Sequence, residues 1–365
     1  MRLFFDARYI RTDFHDGISR YSAELAAAVA AEAAGDVVEV TFLVWDDAQI
    51  PLLPDGAATL KIHGPTSWRE PVTPLILNRH RPDVVFSPMQ TIGAIGRRYR
   101  LILTLHDTIY YRHRTPPRDL PWPVRVGWRL FHLSYVPQRI TLNSADLVVT
   151  VSETSKQQFA DVRLTKRPVI VVHNAPQRLD QQLPDGVTVT GDGPARNLVY
   201  MGSFMPYKNV ETLVRAMPLL PGRTLHLLSR ISPQRRHELA ALAPDADIVF
   251  HDGVTDAAYA AALADHAVLV STSRDEGYGL PLAEALEMGV PAVVTDMPIF
   301  REVAGGGALY VDPDDPFAVA STVRSLDDPK VRARVVDAGA AHIAQFTWPR
   351  SARTLLDAVA SLARR

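Results

Sequence analysis

Two acids, Glu276 and Glu284, enclose the sequence Gly277-Tyr278-Gly279-Leu280-Pro281-Leu-Ala. Their types and spacing suit one kind of ligand. Proline at the first turn of a helix is a start signal, because its missing N–H would be unpaired there in any case. The turn ahead of it offers unpaired N–H groups and a partial positive charge, and glycines let a phosphate approach the backbone. Carboxylates on either side can each accept paired hydroxyl hydrogen bonds. A phosphate with hydroxyls at both ends is what a nucleotide sugar presents. Two glutamates at this spacing in an arbitrary helix are ordinarily solvated, and a phosphate-free helix start is the alternative. The Gly-Tyr-Gly-Leu-Pro between them favours the ligand. Two further positions could join this chemistry: Lys208, set before a helix, and His106-Asp107, at the end of an apolar run.

Each of these positions needs a strand and a helix to hold it. Ala267 to Val270 reads as a buried parallel strand. The helix after Pro281 turns Leu282, Leu286 and Ala285 inward, Gly289 stops it, and Pro291-Ala-Val-Val opens the next strand. Asn197 to Met201 is a strand leading into Gly202-Ser203-Phe-Met-Pro-Tyr-Lys208, and Asn209 is expected to cap the next helix. An ammonium at that place adds to the helix dipole as a diphosphate partner. Leu101 to Leu105 is a strand ending in His106-Asp107, a favourable place for chemistry in a doubly wound sheet. On the residues alone, a structural role for His106 is the better reading. Earlier come the strand Leu3-Phe-Phe, the loop 13–17 and a helix from Ile18 to Ala34 with Tyr21, Leu25 and Val29 on one face. Further strands are read at Val37–Val44, Val84–Phe86, Leu147–Val151, Val169–Val172, Thr224–Leu228, Asp247–Phe250 and Leu309–Val311. Ser152 and Thr255 are expected N-caps, and two helices, about Lys330–Gln345 and Trp348–Ala363, end the chain.

The run Glu276-Gly-Tyr-Gly-Leu-Pro-Leu-Ala-Glu284 followed by Ala-Leu-Glu-Met-Gly-Val-Pro resembles the glutamate–seven–glutamate signature of retaining glycosyltransferase family 4. The resemblance implies an α/β chain of GT-B type, with two Rossmann-like domains across a cleft and a last helix crossing back to the first. The expected division is 1–175 on the acceptor side, a linker over 176–195, a nucleotide-sugar domain over 196–346 and the returning helix over 347–365. It implies further that Glu276 takes the hexose hydroxyls and Glu284 the ribose. Lys208 and the N–H groups around Gly277, Tyr278, Gly279 and Leu280 would hold the diphosphate, and Val254 would lie against the base. Gly17-Ile-Ser-Arg-Tyr resembles the family's first loop near donor phosphate and acceptor, although a plain turn fits this glycine as well. His106 would touch the transferred sugar, with Asp107 orienting it. Many members carry arginine directly after the glycine at 202; here it is Ser203, which leaves Lys208 more of the charge to neutralise. The implied partners are a nucleotide-diphosphate sugar, GDP-mannose or a UDP-sugar, and a glycan or lipid-linked acceptor, with no metal or other cofactor. A GT-B epimerase or phosphorylase and a non-catalytic nucleotide-sugar binder are the alternatives.

Composition bounds the rest. The 365 residues suffice for two domains, and 47% apolar with 22% charged is ordinary for a globular protein. No run of eighteen apolar residues appears, there is no secretory start, and there are no cysteines for disulfides or thiolate metal sites. The reading is a cytoplasmic protein, any membrane role being peripheral at the inner face. A formal charge of -1 argues against nucleic acid as a partner. From 97 to 140, however, nine arginines face only Asp107 and Asp119, with Tyr99, Tyr110, Tyr111, Trp122, Trp128, Phe131 and Tyr135 interleaved. A long helical pattern is expected from about Val124 to Asn143. This stretch could meet an anionic acceptor or anionic lipid headgroups, or it is a solvated basic face with aromatic core anchors. Asp312 and Asp314 fit an Asp-x-Asp pattern and are read as turn residues. Gly191-Asp-Gly-Pro-Ala-Arg does not fit a dinucleotide fingerprint.

Overall fold

The computed structural model describes residues 1–12, 17–34, 38–116, 122–184, 186–189 and 193–364; most of the loop expected at 13–17, together with Arg118, Asp119 and Gly191, lies outside them. Two compact units result, Met1–Asn174 with Phe346–Arg365, and Ala175–Gln345.

The first unit runs β1 (Arg2–Asp6), α1 (Gly17–Ala33), β2 (Glu39–Val44), β3 (Ala58–Lys61), α2 (Thr73–His80), β4 (Val84–Ser87), β5 (Arg100–Thr104), α3 (Ile109–Arg112), α4 (Trp122–Phe131), α5 (Val136–Asn143), β6 (Leu147–Thr150), α6 (Glu153–Asp161) and β7 (Val169–Val171). The second continues with β8 (Asn197–Tyr200), α7 (Val210–Ala216), β9 (Thr224–Leu227), α8 (Pro233–Ala240), β10 (Ile248–Phe250), α9 (Asp256–Ala264), β11 (Ala267–Ser271), α10 (Leu280–Glu287), β12 (Ala292–Thr295), α11 (Pro298–Ala304), β13 (Leu309–Val311), α12 (Pro316–Ser325) and α13 (Pro329–Ile343). The last helix, α14 (Trp348–Ala363), belongs to the first unit and packs on α1. There Arg353 pairs with Glu32, and the ring of Trp348 meets Tyr21 at 6.0 Å.

All strand pairs are parallel, in the orders β3-β2-β1-β4-β5-β6-β7 and β10-β9-β8-β11-β12-β13. The strands buried on both sides are the ones that read as unbroken apolar runs, such as Val84–Ser87 and Ala292–Thr295. In both sheets the winding direction reverses once, between β1 and β4 and between β8 and β11. The crevice at the carboxyl ends of those two strands is where such sheets bind ligands.

Three expectations need correction. The helix expected over Val124–Asn143 is two helices, α4 and α5, interrupted at 132–135. Pro137 explains the break: it lies in the first turn of α5, lacks an N–H, and its ring would clash with the carbonyl four residues back, at Leu133, if the helix ran on. Asn209 precedes α7 but does not cap it with its side chain. It sits in the left-handed region at φ 50°, and its amide donates to the carbonyl of Pro313 at 2.6 Å. The stretch 176–195 is not purely a connection, because Leu179 is buried in a short turn packed on α9. Ser152 and Thr255 do cap their helices, accepting from Ser155 N and Ala258 N.

The reversal in the first unit carries a buried ion cluster. Arg8, in the loop after β1, donates through Nε to Asp6 Oδ1 at 2.7 Å and through Nη2 to Asp6 Oδ2 at 3.0 Å. Its Nη2 and Nη1 also reach Glu70 Oε1 and Oε2, each at 2.9 Å, and Nη1 reaches the His63 carbonyl at 3.1 Å. All five guanidinium N–H groups thus have acceptors. Ser87, at the end of β4, donates to Asp6 Oδ2 at 3.0 Å. Burial lowers the Arg8 affinity for its proton, but the two carboxylates override this and hold it above the ordinary range. Buried Gln49 donates to the carbonyls of Ala7 and Ile10, so the same loop is held from both sides.

All five tryptophans (45, 68, 122, 128 and 348) belong to the first unit, so tryptophan fluorescence of the full chain reports that unit alone. Arg8→Met should lower the stability read this way by about 3–5 kcal/mol, the cost of leaving buried carboxylates without their cation. A variant as stable as the parent would show that the cluster contributes little.

Candidate active site

In the second unit the register Ala267↔Asn197, Val268↔Leu198 and Leu269↔Val199 places the loops after β8 and β11 side by side. Hydrogen bonds to the backbone then stitch them together. Arg274 N donates to the Tyr207 carbonyl at 2.8 Å, and Thr272 Oγ1 donates to the Asn209 carbonyl at 2.8 Å. Buried Tyr200, at the end of β8, donates its hydroxyl to the Ser203 carbonyl at 2.7 Å. Burial first, then the nearby Glu276 charge, pushes that phenol well above its ordinary range, so it remains a donor.

The consequence is an ion pair across the crevice: Lys208 Nζ lies 2.5 Å from Glu276 Oε1, each side chain 14% exposed. Lys208 Nζ also stands 5.3 Å from the centre of the Tyr207 ring. Ser203 is exposed in the same loop.

Beyond Glu276 the chain turns through Gly277 and buried Tyr278 into Gly279, whose φ of 96° is accessible to glycine and strained for any other residue. A Cβ there would also stand 2.8 Å from the Phe300 ring. Leu280 and Pro281 then open α10 with no side-chain cap, so the helix N-terminus faces the crevice through backbone N–H groups alone. Glu284 lies one turn inside α10 and is buried. Leu282, Ala285 and Leu286 are buried as expected. A Schellman turn ends the helix, with Val290 N on the Ala285 carbonyl at 2.8 Å and Gly289 at φ 71°. From behind, α13 comes close because Gly339 has no side chain: a Cβ there would meet Leu286 at 2.7 Å.

The structure therefore brings Lys208, Ser203, Glu276, Gly277, Tyr278, Gly279, Leu280 and Glu284 to one reversal point of one sheet. Val254 is in the loop after β10, two strands away along the same carboxyl edge. That loop is fixed by Gly253 N on the Leu228 carbonyl and by Ile231 N on Asp252 Oδ1. Asp312 accepts from Asp314 N at 2.9 Å, the turn geometry expected, and Asp314 pairs with Arg274.

The remaining candidates lie at the carboxyl edge of the first sheet. Gly17 is the first residue of α1, and Tyr21, one turn on, meets the His106 ring edge-on at 5.0 Å. His106 Nε2 is 2.9 Å from the Pro88 carbonyl, which can only accept, so this nitrogen carries a proton. Asp107 Oδ1 accepts from Ile109 N at 2.8 Å and so opens α3. The sequence reading missed Arg274, Tyr200 and Thr272, which hold the Lys208 and Glu276 loops, and the whole Arg8 cluster. Arg274 stood two places before Glu276 and carried a signal; the others carried none.

Comparison with known proteins agrees with this arrangement. A model described as Glycosyltransferase Family 4 matches residues 15–175, and one described as Glycosyl transferases group 1 matches residues 195–328. The O-antigen chain mannosyltransferase B of Escherichia coli is 28% identical over 279 residues, 68% of this chain and 67% of that protein. The D-inositol 3-phosphate glycosyltransferase of Streptomyces griseus is 32% identical over 178 residues, 44% of this chain and 38% of that protein. The chain thus spans two thirds of the first of these relatives and well under half of the second. Among solved structures, the sucrose-phosphate synthase of Thermosynechococcus elongatus superposes with a TM-score of 0.73 at 19% identity, covering 99% of this chain and 98% of that one. The Anabaena protein HepE, solved with UDP and glucose, gives a TM-score of 0.71 at 18% identity over 99% and 100%. At such identities these structures speak for the fold, which is GT-B.

Gly279→Ala should cost the second unit about 1–3 kcal/mol in backbone strain, with the Phe300 clash added. Circular dichroism should show a lower melting transition while the tryptophan signal of the first unit is unmoved; coincident, unshifted transitions would mean that the turn relaxes at no cost. One glycosyltransferase model on each unit, and the fold that goes with them, support a glycosyltransferase of family 4.

Proposed function

We propose that the protein is a retaining hexosyltransferase that takes a hexose, mannose before glucose, from a nucleotide-diphosphate sugar. The acceptor is a glycan or glycolipid of polysaccharide assembly. The observation that carries this reading is the Lys208–Glu276 pair at the sheet reversal, beside an uncapped helix start with Glu284 one turn inside. A diphosphate seated there meets the Lys208 ammonium and the N–H groups from Gly279 onward. Both oppose the charge that grows on the leaving phosphate as the sugar–oxygen bond breaks. That supplies leaving-group stabilisation from the chain itself, and the reaction is proposed to need no metal. Glu284 takes the ribose hydroxyls and Glu276 the hexose. Retention then follows a same-face course, the departing phosphate accepting the proton of the acceptor hydroxyl. Mannose is favoured because relatives in sequence are named as mannosyltransferases of O-antigen chains.

A panel of nucleotide sugars, scored by thermal shift and by slow hydrolysis, should single out GDP-mannose. A stronger response to UDP-glucose would move the donor assignment and leave the reaction class standing. Incubation with the donor alone should yield slow hydrolysis and no epimer; an epimer would end the transferase reading.

Two variants test the residues. Glu276→Ala should lower kcat by roughly 10²–10³-fold with the fold intact, a loss typical of one transition-state contact. Lys208→Ala should weaken both donor binding and kcat, because the diphosphate is held before and during bond breaking. Near-normal turnover in Glu276→Ala would remove that residue from the reaction. His106 is proposed as a contribution of the first unit to turnover. His106→Ala should reduce kcat more than it raises donor KM, and an effect on thermal stability alone would make it a packing residue of α1.

A further inference from the structure

Helix α4 buries none of its ten residues, although six of the ten in Trp-Pro-Val-Arg-Val-Gly-Trp-Arg-Leu-Phe are Trp, Val, Leu or Phe. Trp128 is turned towards the protein, its ring 5.1 Å from Tyr110 and 4.1 Å from His132. That contact fixes which side faces away. Trp122, Val126 and Leu130, spaced by four, form the outer stripe, and Trp122 is 76% and Leu130 62% exposed. Exposed apolar residues continue with Leu133 and then Val136 and Ile140 on α5, the last 69% exposed. Such an array on one short stretch marks an interaction surface.

Charge identifies the occupant. Beside the stripe stand Arg125 and Arg129, and among the described residues neither has a carboxylate partner. Five of the other arginines of 97–140 are differently placed; Arg98 is exposed and Arg118 lies outside the described residues. Arg97 and Arg100 bind Asp146, Arg112 binds Thr108 Oγ1, Arg114 the Tyr111 carbonyl, and Arg139 the carbonyls of Val162 and Arg163. These are structural cations, and Tyr99 and Tyr111 are buried anchors, so the solvated-face reading holds for that part of the stretch. What remains is a helix of about 15 Å, too short to span a bilayer, with an apolar stripe, an outward tryptophan and flanking arginines. No described helix is long and apolar enough to cross a membrane. A protein partner with an apolar groove would satisfy the stripe but gives no reason for two unpaired arginines at its edge. A surface that is apolar below and anionic above satisfies both.

We propose that α4 lies flat in the interface of an anionic phospholipid bilayer, with Trp122, Val126 and Leu130 among the acyl chains and Arg125 and Arg129 at the phosphates. This assignment does not rest on the donor or the reaction. It places the first unit on the lipid surface.

The test is sedimentation of the full chain with vesicles of neutral phosphatidylcholine and with vesicles that are about one quarter anionic phosphatidylglycerol. Binding should be at least tenfold tighter on the anionic vesicles and should fall with salt. Arg125→Ala and Arg129→Ala should each weaken it about fivefold at low salt. Trp122→Glu, and independently Val126→Glu, should abolish binding at any salt while leaving the tryptophan melting transition in place, since neither residue supports the core. Hydrolysis of the soluble donor should be unchanged in all four. Binding that ignores lipid charge, or that survives the Trp122 and Val126 variants, overturns the proposal. So does a concentration-dependent dimer that Trp122→Glu dissociates and that binds no vesicles, which would make a second copy the occupant.

Discussion

The parallel register between β8 and β11 is the constraint on which the donor half depends. Those strands are far apart in sequence but neighbours in the sheet, and the chain leaves them towards opposite sides. The divergence opens a crevice that no helix fills. Lys208 and Glu276 come from the two lips and meet over it, held by the hydrogen bonds of Arg274 and Thr272 rather than by their own attraction. A partly exposed ion pair is worth little by itself. Here it is a result of the folding of the two loops, which holds two opposite charges side by side over the crevice.

The same logic explains the buried Arg8 cluster at the other reversal. The loop after β1 enters the corresponding crevice of the first sheet, and there every guanidinium N–H has an acceptor within the protein. Arg8 and Gln49 together hold the loop from Ala7 to Ile10. One reversal point is thus satisfied internally and rigid, while the other presents an uncapped helix N-terminus. The difference lies in which polar groups already have partners.

What could be read from the sequence follows the range of the interactions. Strands buried on both faces, such as Leu147–Thr150, and helix stops such as Gly289 are written in local order and were found. So were Glu276, Gly279 and Glu284, which lie close together in the chain around one turn. β3 was not found, because Ala58–Lys61 is a short edge strand with no buried run to mark it. The partners of Arg8 could not be found, because Glu70 lies 62 residues away and no local spacing encodes that meeting. Asn209 misled because its residue type signals a cap, whereas the turn demanded a left-handed residue and asparagine serves both needs. The single helix expected over Val124–Asn143 had the right period on either side of its break, but Pro137 would stand in the interior of that span, where proline breaks a helix.

Ser203 then takes on a meaning that composition alone did not give. The resemblance places an arginine after this glycine in many relatives, whereas here the serine is exposed and its carbonyl, not its side chain, is engaged by Tyr200. The charge that a diphosphate needs must be supplied elsewhere. On the proposed reading Lys208 supplies it, since its ammonium carries three N–H donors and only one of them is directed at Glu276, at 2.5 Å. Lys208 engages only Oε1 of Glu276, so on the proposed reading the carboxylate keeps acceptor capacity for the sugar hydroxyls. Phosphate and carboxylate repel each other, and the lysine between them is what lets both be present. On the proposed reading the pair is two halves of one donor site, joined through a single ammonium.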